Sequence, residues 1–153
     1  MIAFIRSLAR DERGASIIEM AMVMPVLATL LVGMVDISRA YSAKLQLEQA
    51  AQRSIEKVQQ YRTTSSTYST LQTEAATAAG VPTTDVVVDY WLECNGTRQT
   101  SYATVCPTTD NRVRYITVSI TKKFSPMFGT RFFPGANSDG TYTLDAQAGM
   151  RTQ

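Results

Sequence analysis

Histidine is absent from this sequence of 153 residues. That removes imidazole general bases, Ser-His and Cys-His pairs, and the common zinc sites built on histidine. Cysteine is scarce, with Cys94 and Cys106 the two examples, so no cysteine-rich metal cluster is expected. Charge of one sign is also missing: 15 basic residues against 13 acidic ones leave a net charge of +2. The basic residues form no long run or stripe, so nucleic acid is not an expected partner. No internal repeat, phosphate-binding glycine loop or nucleophile motif is present. Asp85, Asp89 and Glu93 fall in one stretch, but their spacing matches no calcium loop, and they read as charges on a strand face. No metal site, cofactor or catalytic residue is expected, and the chain does not read as an enzyme.

What is present is one strongly apolar block. Met20 to Val35 reads MAMVMPVLATLLVGMV and carries no charge. From Ala15 to Val35 the single charged residue is Glu19. A helix of about 20 mostly apolar residues is long enough to cross a hydrocarbon core. Arg6, Arg10 and Arg13 precede the block, which favours a cytoplasmic N-terminal side and an extracytoplasmic remainder. Other readings of the block are a secretory signal peptide cut near Ala40 or Ala43, an unprocessed signal anchor, and the core helix of a soluble protein.

Glu19 separates these readings. A lone carboxylate inside an apolar span costs several kcal/mol to bury unless it finds a partner. Cleavage after Gly14 would make Ala15 a new N-terminus and put Glu19 fifth. The free α-amino group is cationic at neutral pH. In an assembly of subunits, that amine on one copy could neutralise Glu19 of its neighbour and set the axial register, because a slipped register would leave a buried charge unpaired.

The stretch RGASIIEMAMVMPVLATLLVGMVDISRAY resembles the N-terminus of TadE-like pseudopilins of the tight-adherence (Flp, type IVc) pilus system. The resemblance rests on Gly14, Glu19, Pro25, Gly33, Asp36, Arg39 and Tyr41. It covers about thirty residues and is only general beyond them. Met20 departs from the aromatic that usually follows the glutamate. The resemblance implies cutting between Gly14 and Ala15 by a prepilin peptidase and a role as a minor pilin or pseudopilin in assembly of an adhesive pilus. It implies as partners that peptidase, other pilins and pseudopilins, the inner-membrane assembly platform and the lipid bilayer. The alternative is a signal-anchored extracytoplasmic binding module or adhesin that is not processed as a pilin.

Pro25 removes one backbone hydrogen bond and is expected to kink the helix, a defect that membranes tolerate where neighbours satisfy the freed group. Asp36 and Arg39 lie one turn apart and can pair at the outer interface. Past the apolar block, Leu47, Ala51, Ile55 and Val58 recur at helical spacing among polar residues, giving one apolar stripe. Helix is therefore expected from about Ser16 to about Tyr61. Its first half would meet lipid and its second half would pack on a head.

In that head, Thr63 to Ser69 reads as a loop, with Ser69 and Gln72 as a capping box. A short alanine-rich helix then runs to Ala79 and is stopped by Gly80 and Pro82. Three period-two stretches follow. The first carries Val86, Val88, Tyr90 and Leu92 on one face, the second Ile116, Val118 and Ile120, and the third Tyr142, Leu144, Ala146, Ala148 and Met150. They predict an antiparallel sheet of about three strands with one buried face, and an α+β fold of pilin-like design.

Cys94 and Cys106 bracket the loop after the first strand. In an exported head they are expected to form a disulfide, worth about 3 kcal/mol by loop closure. Arg112, Arg114, Lys122 and Lys123 make the second strand basic, which suggests a solvated edge. Asn95-Gly96-Thr97 fits a glycosylation sequon of the kind that arises by chance. Met127, Phe128, Phe132 and Phe133 are expected to close the bottom of the sheet, or else to form a patch for a partner. The expected organisation is a cytoplasmic leader over 1–14, a transmembrane helix over 15–36, its amphipathic continuation over 37–62 and a head over 63–153. The expected location is the inner membrane, single-pass, with incorporation into an extracellular pilus as a further step.

Overall fold

The computed structural model describes residues 12–61, 68–127 and 134–152. The chain divides into two units, Met1–Arg39 and Ala40–Gln153. Helix α1 runs through both, from Glu12 to Tyr61.

In the first unit the chain is helical from Glu12 onward, and the residues from Ser16 to Leu31 are exposed. Pro25 lies inside this helix without ending it. It has no N–H to give the Ala21 carbonyl. One turn on, the Thr29 hydroxyl donates to the carbonyls of Pro25 and Val26, at 3.1 and 2.8 Å. This is the local side-chain bonding that accompanies bends in apolar helices.

In the second unit α1 supplies Leu47, Ala50, Ala51, Ile55 and Val58 to the core. The predicted stripe is the buried one. Ser54 falls on the same face, and its buried hydroxyl donates to the Ala50 carbonyl at 2.8 Å. Helix α2, Tyr68–Ala79, adds Tyr68, Leu71, Ala75, Ala76 and Ala79. Small alanines let its backbone come close to the sheet. Lys57 of α1 and Glu74 of α2 pair at 2.7 Å.

Helix α2 begins at Tyr68, so Ser69 lies inside it and not at the expected cap. The other residues of the predicted loop, up to Ser66 and Thr67, lie outside the described residues. The end of α2 follows expectation. Gly80 has φ +63°, its N–H reaches the Thr77 carbonyl, and the Val81 N–H reaches the Ala76 carbonyl. This is a Schellman cap, and the left-handed position is one that glycine fills without strain.

A single turn of 3-10 helix, Thr83–Asp85, leads into the sheet. Its strands are β1 (Val86–Cys94), β2 (Thr97–Arg98), β3 (Arg112–Phe124) and β4 (Tyr142–Arg151), in the order β2-β1-β3-β4 with antiparallel neighbours. Register puts Val86, Val88 and Tyr90 opposite Ile120, Val118 and Ile116, which in turn face Ala146, Ala148 and Met150. Those even-numbered residues share one face, and all but the exposed Tyr90 belong to or pack on the core that α1 and α2 help to build.

The expected α+β fold with a small antiparallel sheet is the one observed. To the three expected strands it adds a short fourth, because Asn95 and Gly96, at φ 51° and 80°, make a two-residue turn that folds β2 back on β1. Positive φ at both central positions is the type I′ hairpin that Asn-Gly favours. The basic strand β3 is central, flanked by β1 and β4, and not an edge. Its charges sit at its two ends, Arg112 and Arg114 at one and Lys122 and Lys123 at the other. The long aliphatic stems let such residues flank a buried middle.

Candidate assembly segment and head surface

The predicted assembly residues lie in the first part of α1. Gly14 and Ala15 fall in its opening turns, with Glu19 one turn further on. Glu19 is exposed, as are Ile17, Ile18, Met20, Met22 and Val23 around it. Among the described residues, the Glu19 carboxylate is thus flanked by apolar side chains that are themselves exposed. In water such a surface is unstable, and in a membrane the apolar part is at home while the charge is not. Ser16–Gln59 contains a window long and apolar enough to span a bilayer, with mean hydropathy 2.1.

Asp36 and Arg39 do pair, Oδ1 to Nη1 at 3.4 Å. The carboxylate is not at the surface, however: Asp36 is 3 % exposed, while Arg39 is half-exposed. Burial makes the charge pairing of Asp36 a structural requirement, since a buried ion left alone is costly.

In the head, Cys94 and Cys106 are joined by a disulfide with Cα atoms 5.6 Å apart. Inside the closed loop, Tyr102 meets Tyr68 and Tyr90. The ring centroids lie 6.1 Å and 5.2 Å from that of Tyr102, and Tyr68 and Tyr90 are 4.8 Å apart. The Tyr68 and Tyr102 hydroxyls are 3.1 Å apart, and the Arg114 guanidinium lies over the Tyr102 ring at 4.8 Å. Burial, then the Tyr102 hydroxyl, pushes the Tyr68 phenol well above its ordinary value. The loop is therefore held by a covalent bond and by an aromatic cluster.

On the other face of the sheet, Trp91 stacks on Tyr115 at 5.2 Å and lies under Arg98 at 4.7 Å. The indole N–H donates to Glu93 at 2.8 Å, and Arg98 Nη2 donates to both oxygens of Asp89 at 3.1 Å. Asp89 and Glu93 thus have local partners, and Asp85 lies just outside β1 in the 3-10 turn. Among the described residues no cluster of acidic or cysteine side chains is arranged to hold a metal ion. Where β2 ends, an open surface cleft of about 360 Å³ is lined by Tyr90, Trp91, Arg98, Gln99, Thr100 and Tyr102. Sequence reasoning did not find it. Asn95-Gly96 between two alternating stretches was the usable signal, because the hairpin forms one wall.

Met127 is 67 % exposed, so it does not close the sheet as expected. Phe128, Phe132 and Phe133 lie outside the described residues.

The chain thus combines a long N-terminal helix, apolar in its first part, with a small antiparallel sheet in an α+β fold. A family model described as TadE-like protein matches residues 14–55, a stretch wholly inside α1. Over these residues the chain is similar to TadE-like proteins. No curated protein and no solved structure matches the chain.

Proposed function

We propose that this chain is a minor pilin or pseudopilin that a prepilin peptidase cuts after Gly14 and that joins the assembly of an adhesive tight-adherence pilus. The observation that carries the reading is Glu19, an unburied carboxylate five residues past Gly14 in a TadE-like apolar helix. Residues 1–14 are the cytoplasmic leader, 15–36 the membrane span, 37–62 its amphipathic continuation and 63–153 the extracytoplasmic head. The freed amine of Ala15 on one subunit neutralises Glu19 on the next, so correct stacking is the arrangement with no orphan charge. Pro25 weakens the helix locally and eases its movement from bilayer to fibre. The partners are the peptidase, sibling pilins and the inner-membrane platform.

Mass spectrometry of the protein from membranes tests the cut. A first residue of Ala15 is expected, and an intact Met1 or a start near Tyr41 would sink the reading in favour of a signal-anchored binding module. Gly14→Val is expected to block processing by crowding the peptidase site. Glu19→Ala should still be cut but should assemble poorly. Normal pili from Glu19→Ala cells would remove the register argument while leaving the cut intact.

A further inference from the structure

We infer that the outer edge of β4 is a pairing surface for a second copy of this chain, joined antiparallel so that two sheets become one. Strand β4 is the last in the order β2-β1-β3-β4, and among the described residues no strand lies beyond it. Its ladder with β3 runs unbroken from Tyr142 to Arg151, with no bulge and no proline. Bulges and prolines are among the devices that blunt an edge.

The backbone of this edge is turned outward. The Thr152 N–H donates to the Arg114 carbonyl at 2.8 Å, so by antiparallel alternation the even-numbered residues of β4 spend their N–H and C=O groups on β3. The odd-numbered residues Thr143, Asp145, Gln147, Gly149 and Arg151 point theirs away from it, and each is exposed. Gly149 fits this alternation. It lies opposite Thr117, and a Cβ there would come within 2.8 Å of the Thr117 methyl, the close approach of a pair without mutual hydrogen bonds. Strand β1 offers much less. The Gln99 N–H donates to the Leu92 carbonyl and the Gln72 amide to the Val86 carbonyl, which leaves Val88 and Tyr90 as its open stretch.

Self-complementarity selects the occupant. Asp145 and Arg151 are the charged residues of β4, opposite in sign, on one face and equally spaced about Ala148. An antiparallel copy centred on Ala148 puts Asp145 opposite Arg151 of the second copy, and the twofold repeats that pair. Gln147 then faces Gly149, whose missing side chain leaves room. This register sets outward N–H groups against outward carbonyls and places opposite charges at facing positions. A slip of two residues either way separates both charge pairs. The core side gains too. Leu144, Ala148 and Met150 are half-buried and pack against the core along this edge. In the dimer Ala148 meets its own copy and Met150 meets Ala146, which takes apolar surface out of water. The twofold closes the assembly at two copies. The contact lies in the head and does not depend on processing after Gly14.

The full chain in detergent micelles tests the register. Ala148→Cys copies are expected to link into disulfide-bonded dimers under mild oxidation, because the pairing brings their Cα atoms to about 4.5 Å. Leu144→Cys copies should stay unlinked, since the same pairing holds them roughly 25 Å apart. In sedimentation equilibrium, Asp145→Arg should raise the dimer dissociation constant about tenfold, and combining it with Arg151→Asp should restore the wild-type value. Gln147→Pro removes an outward N–H that the β3 ladder does not use, and should abolish the dimer while leaving the far-UV circular dichroism unchanged. If that variant unfolds, the charge exchange still decides. Equal cross-linking at Leu144 and Ala148, a dimer indifferent to Asp145→Arg, or a chain that stays monomeric up to about 100 μM would each overturn the assignment.

Discussion

Lys123, near the end of β3, reaches Asp139 in the segment before β4, Nζ to Oδ2 at 2.5 Å. Thr141 donates to the same carboxylate from its hydroxyl at 2.6 Å and its N–H at 3.1 Å. The Lys123 hydrogen bond, then those from Thr141, holds the Asp139 carboxyl well below its ordinary 3.8. The same hydrogen bond, with the carboxylate charge, raises the Lys123 ammonium above 10.5. The depressed carboxyl contributes stability above pH 3.8, lost as pH falls through the folded value. The raised amine contributes stability below pH 10.5, lost as pH rises through its folded value. Both groups are exposed, so the effect is small. Asp139→Asn should lower Tm at pH 7, and the gap to wild type should narrow in melts taken below pH 3.8. A gap that stays constant down to strong acid would assign the loss to Thr141 and not to charge.

At the scale of elements, the hairpin makes the clearest prediction. Gly96 sits at φ 80°, so Gly96→Val forces a β-branched residue into a left-handed conformation. A loss of about 1–3 kcal/mol is expected from chemical denaturation. Trp91 emission should shift as well, because Arg98 would lose its seat over the indole. An unchanged stability would mean that the turn repacks freely. The larger elements were legible in the sequence because burial imposes a period on them. The Leu47–Val58 stripe repeats at helical spacing, and the strands alternate. Strand β2 was not legible, since two residues carry no period. Its signal was chemical, the Asn-Gly pair, which also supplies the first two residues of a sequon. The place of β3 in the sheet was misread for a related reason. Charge at strand ends resembles charge along an edge until the partners on both sides are known. Met127 shows the limit of hydrophobicity as evidence, because it is apolar yet exposed. In the candidate site, Gly14 and Glu19 were visible as a pattern, whereas the cleft needed the fold to bring residues 90–91 and 98–102 together.

For the molecule as a whole, the two units divide the physics. Among the described residues, the buried apolar residues of the second unit lie between Leu47 and Ala146, and the exposed apolar surface is concentrated in Ile17–Ile37. Residues 40–153, made in an oxidising compartment, should therefore be soluble and unfold cooperatively. The full chain should stay with membranes through alkaline carbonate and leave only in detergent. Aggregation of the 40–153 fragment would show that the head needs its anchor to fold. Replacing both cysteines by serine in that fragment should cost about 3 kcal/mol and shift the denaturation midpoint accordingly.

The bond between Cys94 and Cys106 also imposes an order of events. Thiols of mesophilic proteins stay reduced on the cytosolic side of a membrane and pair on the other. The segment carrying Tyr102 is closed covalently only when that pairing is made, in addition to its hold through the tyrosine cluster. In the proposed topology the linkage would record which side of the membrane residues 94–106 have reached. If the head crosses the membrane as proposed, thiol trapping during synthesis should show reduced chains first and chains joined at Cys94–Cys106 later.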